Sequence, residues 1–120
     1  MEELVGLILK AGELLLTCGA EMARVEETIE RMGRAAGFSA VESYATPTGL
    51  FVSLHAPDGR VYTRVKRIRG GHSNIALIAE VNSLSRAFAA GKITAEELRY
   101  ALERLQEEGA GNAAARPLIG

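Results

Sequence analysis

Charged residues stand beside the apolar stripe of a predicted helix near the start of the chain. Apolar residues at helical spacing in residues 20–36 form a stripe centred between Val25 and Ile29. Glu21 falls on the shoulder of this stripe and Arg24 just beyond it. These positions suit either an exposed ion pair at i,i+3 spacing or a polar site that borders the core. Both interpretations stay open at this point.

A basic residue near the end of the third predicted strand could complete such a polar site. If a four-residue loop pairs His55 with Arg60, strand alternation turns Arg67 toward the core. An unpaired charge in the core is costly, so Arg67 would need a partner, and Glu21 is the candidate. The alternative is that Arg67 lies past the strand end and is solvated.

The same strand pairing predicts one core face and one polar, basic face for the sheet. Apolar residues of the second strand would share the core face with Val61, Thr63 and Val65. The opposite face would carry the basic residues together with one aromatic residue, namely Arg60, Tyr62, Arg64 and Lys66. We interpret this basic face as solvated, with a contact between protomers as the alternative.

Three more polar residues lie on or just before the third predicted helix. Asn82 and Ser85 fall on a mostly apolar second face, where they need hydrogen-bond partners. They could hold a neighbouring loop, such as residues 46–49, or line a pocket. Asn74 follows the sequence Gly-Gly-His-Ser, and the free N–H groups of such a helix start suit a plain cap or a carboxylate ligand.

Several other chemistries are disfavoured. His55 and His72 lie on different elements without a second ligand at metal spacing, so we expect no metal and no cofactor. A Ser-His-Asp site is improbable because the one aspartate, Asp58, lies in a predicted turn. Fourteen basic and fifteen acidic residues give a net charge of -1, which argues against nucleic-acid binding. The single cysteine, Cys18, fits a reducing, cytoplasmic setting.

The elements that must position these residues predict an α+β fold in the order ααβββαα. Helices are predicted at residues 4–18, 20–36, 73 or 74–90 and 94–108, and strands at residues 40–45, 50–55 and 60–68. A capping box is predicted at Thr94 and Glu97. Residues 1–108 would form one domain, with residues 109–120 as a flexible tail or linker. The apolar run at residues 4–18 is too short to span a bilayer, so the chain is expected to be soluble.

Five segments, taken in order, resemble the threonine/serine exporter family. They are GAEMARVEETI at residues 19–29, ESYATPTGLF at residues 42–51, TRVKR at residues 63–67, Asn74, and VNSLSR at residues 81–86 ahead of Gly91-Lys92-Ile93. The resemblance implies the N-terminal domain of an inner-membrane exporter, on the cytoplasmic side, with transmembrane helices downstream. It also implies substrates among threonine, serine and, in some relatives, small dicarboxylates.

On this basis we predict a non-enzymatic domain that acts in substrate recognition, gating or assembly, without catalytic residues. The predicted substrate-binding residues are Glu21, Arg24, Arg67, Asn74, Asn82 and Ser85. The expected partners are the transmembrane part of the exporter, a small amino acid or dicarboxylate, and further copies of the chain, because a three-strand meander leaves two open edges. The basic face could alternatively seat against the membrane part.

Two rival functions stay open. One is a hydrolase-like enzyme that uses Glu21, Glu26 or Glu27 as acid or base. The other is a purely structural oligomerisation domain.

Overall fold

A computed structural model describes the backbone of residues 1–119 and the side chains of residues 1–109. Four helices and one three-stranded antiparallel sheet follow one another in the order ααβββαα. The elements are α1 (Glu2–Thr17), α2 (Met22–Ala35), β1 (Ala40–Thr46), β2 (Gly49–His55), β3 (Val61–Arg67), α3 (Ile75–Ala89) and α4 (Ala95–Ile119). The α+β class and the element order predicted from the sequence are therefore confirmed.

Helix α1 is the central element, since it packs against the sheet and against all three other helices. Its apolar residues are buried nearly all round, as the breadth of its apolar surface predicts. Close approach depends on Gly12, where a Cβ would lie 2.7 Å from Leu50 Cδ2 of β2 and 3.0 Å from Ile29 Cδ1 of α2. The missing side chain at Gly12 thus lets α1 contact the sheet and α2 at the same level.

The helices form two layers on one side of the sheet. Helices α1 and α2 contact the strands, whereas α3 and α4 pack mainly on α1 and α2. The core between sheet and first helical layer is apolar and fully enclosed, with Leu50, Val52 and Leu54 from β2 opposite Val25, Ile29 and Met32 from α2. Burial of this one continuous core fixes which face of the sheet turns inward.

The hairpin between β2 and β3 differs from the predicted one by one residue. Ala56 donates its N–H to the carbonyl of Arg60 at 2.8 Å, and His55 pairs with Val61 instead of Arg60. The loop therefore has three residues, 57–59, and its last residue, Gly59, adopts a left-handed conformation with φ 94°. A shift of one residue turns every side chain of the strand to the other face, so the predicted facing of β3 was wrong.

Side chains predicted on an outer basic face of β3 lie instead on the helix side of the sheet. Tyr62 is only 8% exposed and meets Phe38 edge to face, with ring centroids 6.1 Å apart. Arg64 pairs with Glu2 of α1 at 3.0 Å, and Lys66 pairs with Glu13 of α1 at 3.7 Å. The predicted basic face is not formed, because these two cations reach over α1.

The opposite side of the sheet, here called the open face, is not covered by any helix in the described part of the chain. Alternation along the three strands places on it the side chains of Ala40, Glu42, Tyr44, Thr46, Phe51, Ser53, His55, Val61, Thr63, Val65 and Arg67. Four of these are large exposed apolar residues, namely Tyr44, Phe51, Val61 and Val65. The open face is therefore more apolar than the solvated side of an antiparallel sheet usually is.

The two C-terminal helices begin with side-chain caps. Asn74 accepts a hydrogen bond from the N–H of Leu77 at 3.1 Å, and the predicted capping box forms between Thr94 and Glu97. Helix α4 continues past the predicted end at Gly109 to Ile119. The predicted mobility of residues 109–120 falls largely on residues outside the described side chains and stays a prediction. None of the helices in residues 1–119 is both long enough and apolar enough to cross a bilayer.

Candidate functional site

A cleft of about 590 Å³ opens where the end of β3 meets the C-terminal end of α1. The loop between β3 and α3 closes one side, and residues 106–109 of α4 close another. Its polar lining comprises Glu13, Thr17, Lys66, Arg67, Arg69, His72 and Gln106, and its apolar lining comprises Leu14, Cys18, Ile68 and Leu77. We call this site the basic cleft, since its cations outnumber its one carboxylate.

The loop before α3 lies directly on the end of α1. His72 donates its N–H to the carbonyl of Thr17, and Asn74 donates its N–H to the carbonyl of Cys18, both at 3.0 Å. These bonds satisfy carbonyls that the end of a helix would otherwise leave without a partner. A Cβ at Gly71 would lie 2.6 Å from the carbonyl oxygen of Thr17, so only glycine allows this approach. The Gly-Gly-His sequence thus fixes the position of His72 in the cleft wall.

The imidazole of His72 has an unusual environment. Its Nε2 atom is buried, and no hydrogen-bond partner lies within reach among the residues that the structure describes. A buried polar atom without a partner costs about 1 to 3 kcal/mol. Because Nε2 has almost no accessible surface, a ligand in the basic cleft would reach it only after a rotation of the His72 ring.

The electrostatics of the basic cleft combine one ion pair with unpaired positive charge. The Glu13 and Lys66 side chains, 3.7 Å apart, are about one quarter and just under half exposed, so solvent screens their attraction only in part. Arg69 adds a guanidinium, and the described residues place no acidic partner within 4 Å of it. This arrangement favours a ligand with at least one negative group.

Cys18 lines the basic cleft but is not suited to act as a nucleophile. Its side chain is 2% exposed, and burial raises the pKa of its thiol above the ordinary value of 9.0. The thiolate is the reactive form, so a raised pKa leaves the sulfur protonated near neutral pH. Cys18 therefore contributes apolar surface to the cleft wall.

The predicted pair of Glu21 and Arg67 does not form. Glu21 is the exposed N-terminal residue of α2, and its side chain makes no capping bond. Arg67 pairs with Gly49 at the end of the β2–β3 ladder. It borders the basic cleft, but alternation turns its side chain to the open face, so the cations that the cleft lining offers are Lys66 and Arg69. No ion pair or hydrogen bond joins the two side chains in the described part of the chain, so the predicted polar centre was wrong. The cause is the one-residue shift in the hairpin.

Three other predicted site residues meet between α2 and α3, in what we call the polar seam. Thr28 Oγ1 donates to the carbonyl of Arg24 at 2.9 Å and lies 3.4 Å from Asn82 Oδ1. Ser85 Oγ donates to the carbonyl of Asn82 and accepts a bond from Arg31 Nη1 at 3.3 Å. The sequence had suggested that Asn82 and Ser85 hold residues 46–49. In the structure they bond to α2 instead. Arg24 takes part in the polar seam through its backbone carbonyl, which accepts the bond from Thr28.

Asn74 acts as a helix cap, because its side-chain oxygen is occupied by the N–H of Leu77. Its own N–H is occupied by the carbonyl of Cys18.

Sequence reasoning did not include among the site residues the two that contribute opposite charges to the basic cleft, Glu13 and Lys66. The sequence does hold one signal, since Glu13 interrupts an otherwise apolar helix and must face a polar partner or solvent.

The carboxylates of the hydrolase alternative lie on the far side of α2. Glu26 Oε2 accepts the N–H of Ala45 at 2.9 Å, which holds it against the outer edge of β1. Glu27 is exposed in a shallow acidic groove with Glu30, beside residues 41–43 of β1. Among the described residues, no three His, Cys, Asp or Glu side chains converge as metal ligands would. The expectation that the native protein binds no metal stays a prediction.

The fold and the site together define an α+β domain with a ligand-sized, mostly cationic cleft beside its central helix. The family model that matches this chain is ThrE, described as "Putative threonine/serine exporter", and it covers residues 6–113. The chain belongs to this family, as the sequence resemblance had indicated. No curated protein and no solved structure matches it.

Proposed function

We propose that this chain is the recognition domain of a threonine/serine exporter and that it binds a small zwitterionic or anionic metabolite in the basic cleft. The observation that carries the proposal is the charge of the cleft lining, where Glu13 lies 3.7 Å from Lys66 and Arg69 adds a second cation. Protein sites of 300 to 1,000 Å³ are typical for small ligands, and the cleft volume falls in this range.

The chemistry of the lining fits an amino acid. Lys66 and Arg69 would bind its carboxylate, and Glu13 would bind its ammonium group. The amino acid would take over part of the contact between Glu13 and Lys66, so neither charge would lose its partner. His72 Nε2 can accept a hydrogen bond from a side-chain hydroxyl or donate one to a carboxylate, depending on its tautomer.

The site also suits gating. Its walls come from α1, from β3, from the loop before α3 and from α4, so that one bound molecule would contact four separate elements. A ligand can shift a conformational equilibrium only if it binds the two states differently, and a site shared by four elements allows such a difference. We infer that the domain acts together with the transmembrane part of the exporter, on the cytoplasmic side of the membrane.

The proposal can be tested by calorimetry and thermal unfolding with threonine, serine, succinate and threoninamide, in which a neutral amide replaces the carboxylate. Threonine, serine or succinate should stabilise the chain, whereas the amide analogue should bind at least about tenfold more weakly, because it lacks the carboxylate. Lys66→Gln should reduce the affinity, and Lys92→Gln, an exposed change outside the cleft, should not. Equal binding by both variants, or no binding of threonine, serine or succinate, would contradict the proposal.

A further inference from the structure

A row of exposed apolar side chains crosses all three strands on the open face. The register places Tyr44 of β1 opposite Phe51 of β2, and Phe51 opposite Val65 of β3. The exposed fractions of the three side chains are 66%, 41% and 73%. Three adjacent large apolar residues form a continuous patch, and such patches mark interaction surfaces more often than single exposed residues do.

Two opposite charges lie at matched positions on either side of this row. Glu42 lies two residues before Tyr44 on β1, and Arg67 lies two residues after Val65 on β3. With strands about 4.8 Å apart and about 3.4 Å per residue, each charged Cα is about 8 Å from that of Phe51, in opposite directions. The open face is therefore complementary to itself, because a half-turn that centres on Phe51 can exchange the positions of Glu42 and Arg67.

We propose that a second copy of this chain binds the open face, through a two-fold axis at Phe51. In this arrangement Phe51 packs on its counterpart, and Glu42 of each copy lies over Arg67 of the other. The axis that exchanges the two charges makes the strands of the two sheets cross at about 70°, near the orthogonal class of sheet packing. An interface of this kind is isologous, since each copy contributes the same patch.

The charge and size of the face favour a second copy over other occupants. One carboxylate and one guanidinium flank the apolar row, and His55 Nε2 lies 3.2 Å from Glu42 Oε1 on the same face. The face therefore offers no cluster of cations to an anionic lipid or a polyanion. Three seven-residue strands span about 14 by 23 Å, and two such faces that cross at about 70° overlap over about 220 Å² each, or roughly 450 Å² for two copies. Interfaces below about 1,200 Å² are weak and transient. The association should therefore depend strongly on concentration.

The outer edge of β1 is a less suitable surface for a second copy. At Ala45 the backbone N–H is already bonded to Glu26 Oε2, so this edge cannot offer an uninterrupted ladder to another strand. Association through strand edges was the sequence-based expectation. The apolar row and its flanking charges point to the face of the sheet instead.

The test uses sedimentation of the full chain over a range of concentrations, with the charge reversals Glu42→Arg and Arg67→Glu. Each single variant places like charges over each other twice in the dimer, so its dissociation constant should rise at least about tenfold. An equimolar mixture of the two variants restores an opposite pair at both contacts. The mixture should therefore dimerise about as well as the unaltered chain, and failure of the mixture to do so would overturn the proposal.

Two controls separate this interface from general effects of charge. Glu107→Arg changes the net charge by the same amount as Glu42→Arg on an exposed part of α4, and it should leave association unchanged. Phe51→Ser should weaken association while the chain keeps its circular dichroism spectrum. An unaltered chain that stays monomeric at millimolar concentration would exclude a second copy and leave the face to another occupant. An effect of Glu107→Arg equal to that of Glu42→Arg would also overturn the proposal.

Discussion

The carboxylate of Glu13 and the ammonium group of Lys66 lie 3.7 Å apart, which ties the middle of α1 to the end of β3 at the mouth of the basic cleft. The pair is partly exposed, so its direct contribution to stability is small. Its larger effect is on the charge of the cleft, since Glu13 is the one carboxylate in the lining. The pair therefore offers a means to distinguish a zwitterionic ligand from a dianionic one.

Glu13→Gln should change the preference of the cleft among ligands. Loss of the carboxylate removes the group that would bind an ammonium and leaves Lys66 free, so affinity for threonine should fall about three- to tenfold. Affinity for a dicarboxylate should rise or stay unchanged, because no repulsive charge remains in the lining. Titration calorimetry of both ligands against both proteins measures the change. A parallel loss for both ligands would show that Glu13 only supports the structure.

Gly12→Ala should destabilise the chain, whereas Gly6→Ala on the same helix should not. A Cβ at Gly12 would lie 2.7 Å from Leu50 Cδ2, but a Cβ at Gly6 meets nothing within 4 Å. Overpacking costs about 1 to 3 kcal/mol, and the gain in helix propensity from alanine is at most about 1 kcal/mol. The free energy of unfolding in denaturant should fall for Gly12→Ala and rise slightly for Gly6→Ala. Equal effects would mean that Leu50 can move aside without cost.

Thr28→Val tests the polar seam between α2 and α3. The substitution keeps the shape of the side chain but removes the hydroxyl that lies 3.4 Å from Asn82 Oδ1. Thr28 is fully buried and Asn82 is half-buried, so the loss should cost about 1 kcal/mol of unfolding free energy. A double-mutant cycle with Asn82→Ala should show coupling between the two positions. Additive effects would mean that the loss of stability comes from the hydrogen bond between Thr28 and the carbonyl of Arg24 alone.

The sequence was sufficient for the order of the elements but not for the facing of β3. Helical periodicity, the glycine stops at Gly19, Gly37 and Gly91 and the capping box of Thr94 and Glu97 are local signals that were confirmed. The stop predicted at Gly109 was wrong, since α4 continues to Ile119. The face that β3 turns to the core depends on the length of the β2–β3 loop, because a difference of one residue turns every side chain of the strand to the other face. Gly59 was the available signal, because a glycine that ends a three-residue loop commonly adopts a left-handed conformation.

The candidate site was harder to predict for a related reason. Glu13 and Lys66 are 53 positions apart, and only the corrected facing of β3 brings Lys66 over α1. Asn82 and Ser85 were correctly expected to need partners, but their partners on α2 depend on how two helices pack. Contacts of this kind depend on how the helices pack against each other, and local patterns in the sequence do not specify that packing.

Alkaline pH should destabilise the chain through Cys18. Burial raises the pKa of this thiol in the folded state above 9.0, so the unfolded chain ionises first as pH rises. The stabilisation from Cys18 is thus complete below pH 9 and decreases above it, at up to about 1.4 kcal/mol per pH unit until the folded thiol also ionises. The measurement is the difference in unfolding free energy between the unaltered chain and Cys18→Ala at pH 8 and pH 10. This difference should change with pH, and parallel curves would contradict the prediction.

Helix α4 lines the basic cleft at Gln106 and Gly109 and continues without a break to Ile119. The 13 steps between the 14 residues from Gln106 to Ile119 correspond to about 20 Å of helix at 1.5 Å per step. If a ligand tilted α4 by about 10° around Gln106, the far end would move by about 3.5 Å. A sub-ångström adjustment at the cleft would in this way become a displacement comparable to the length of a side chain, and α4 would serve as a lever.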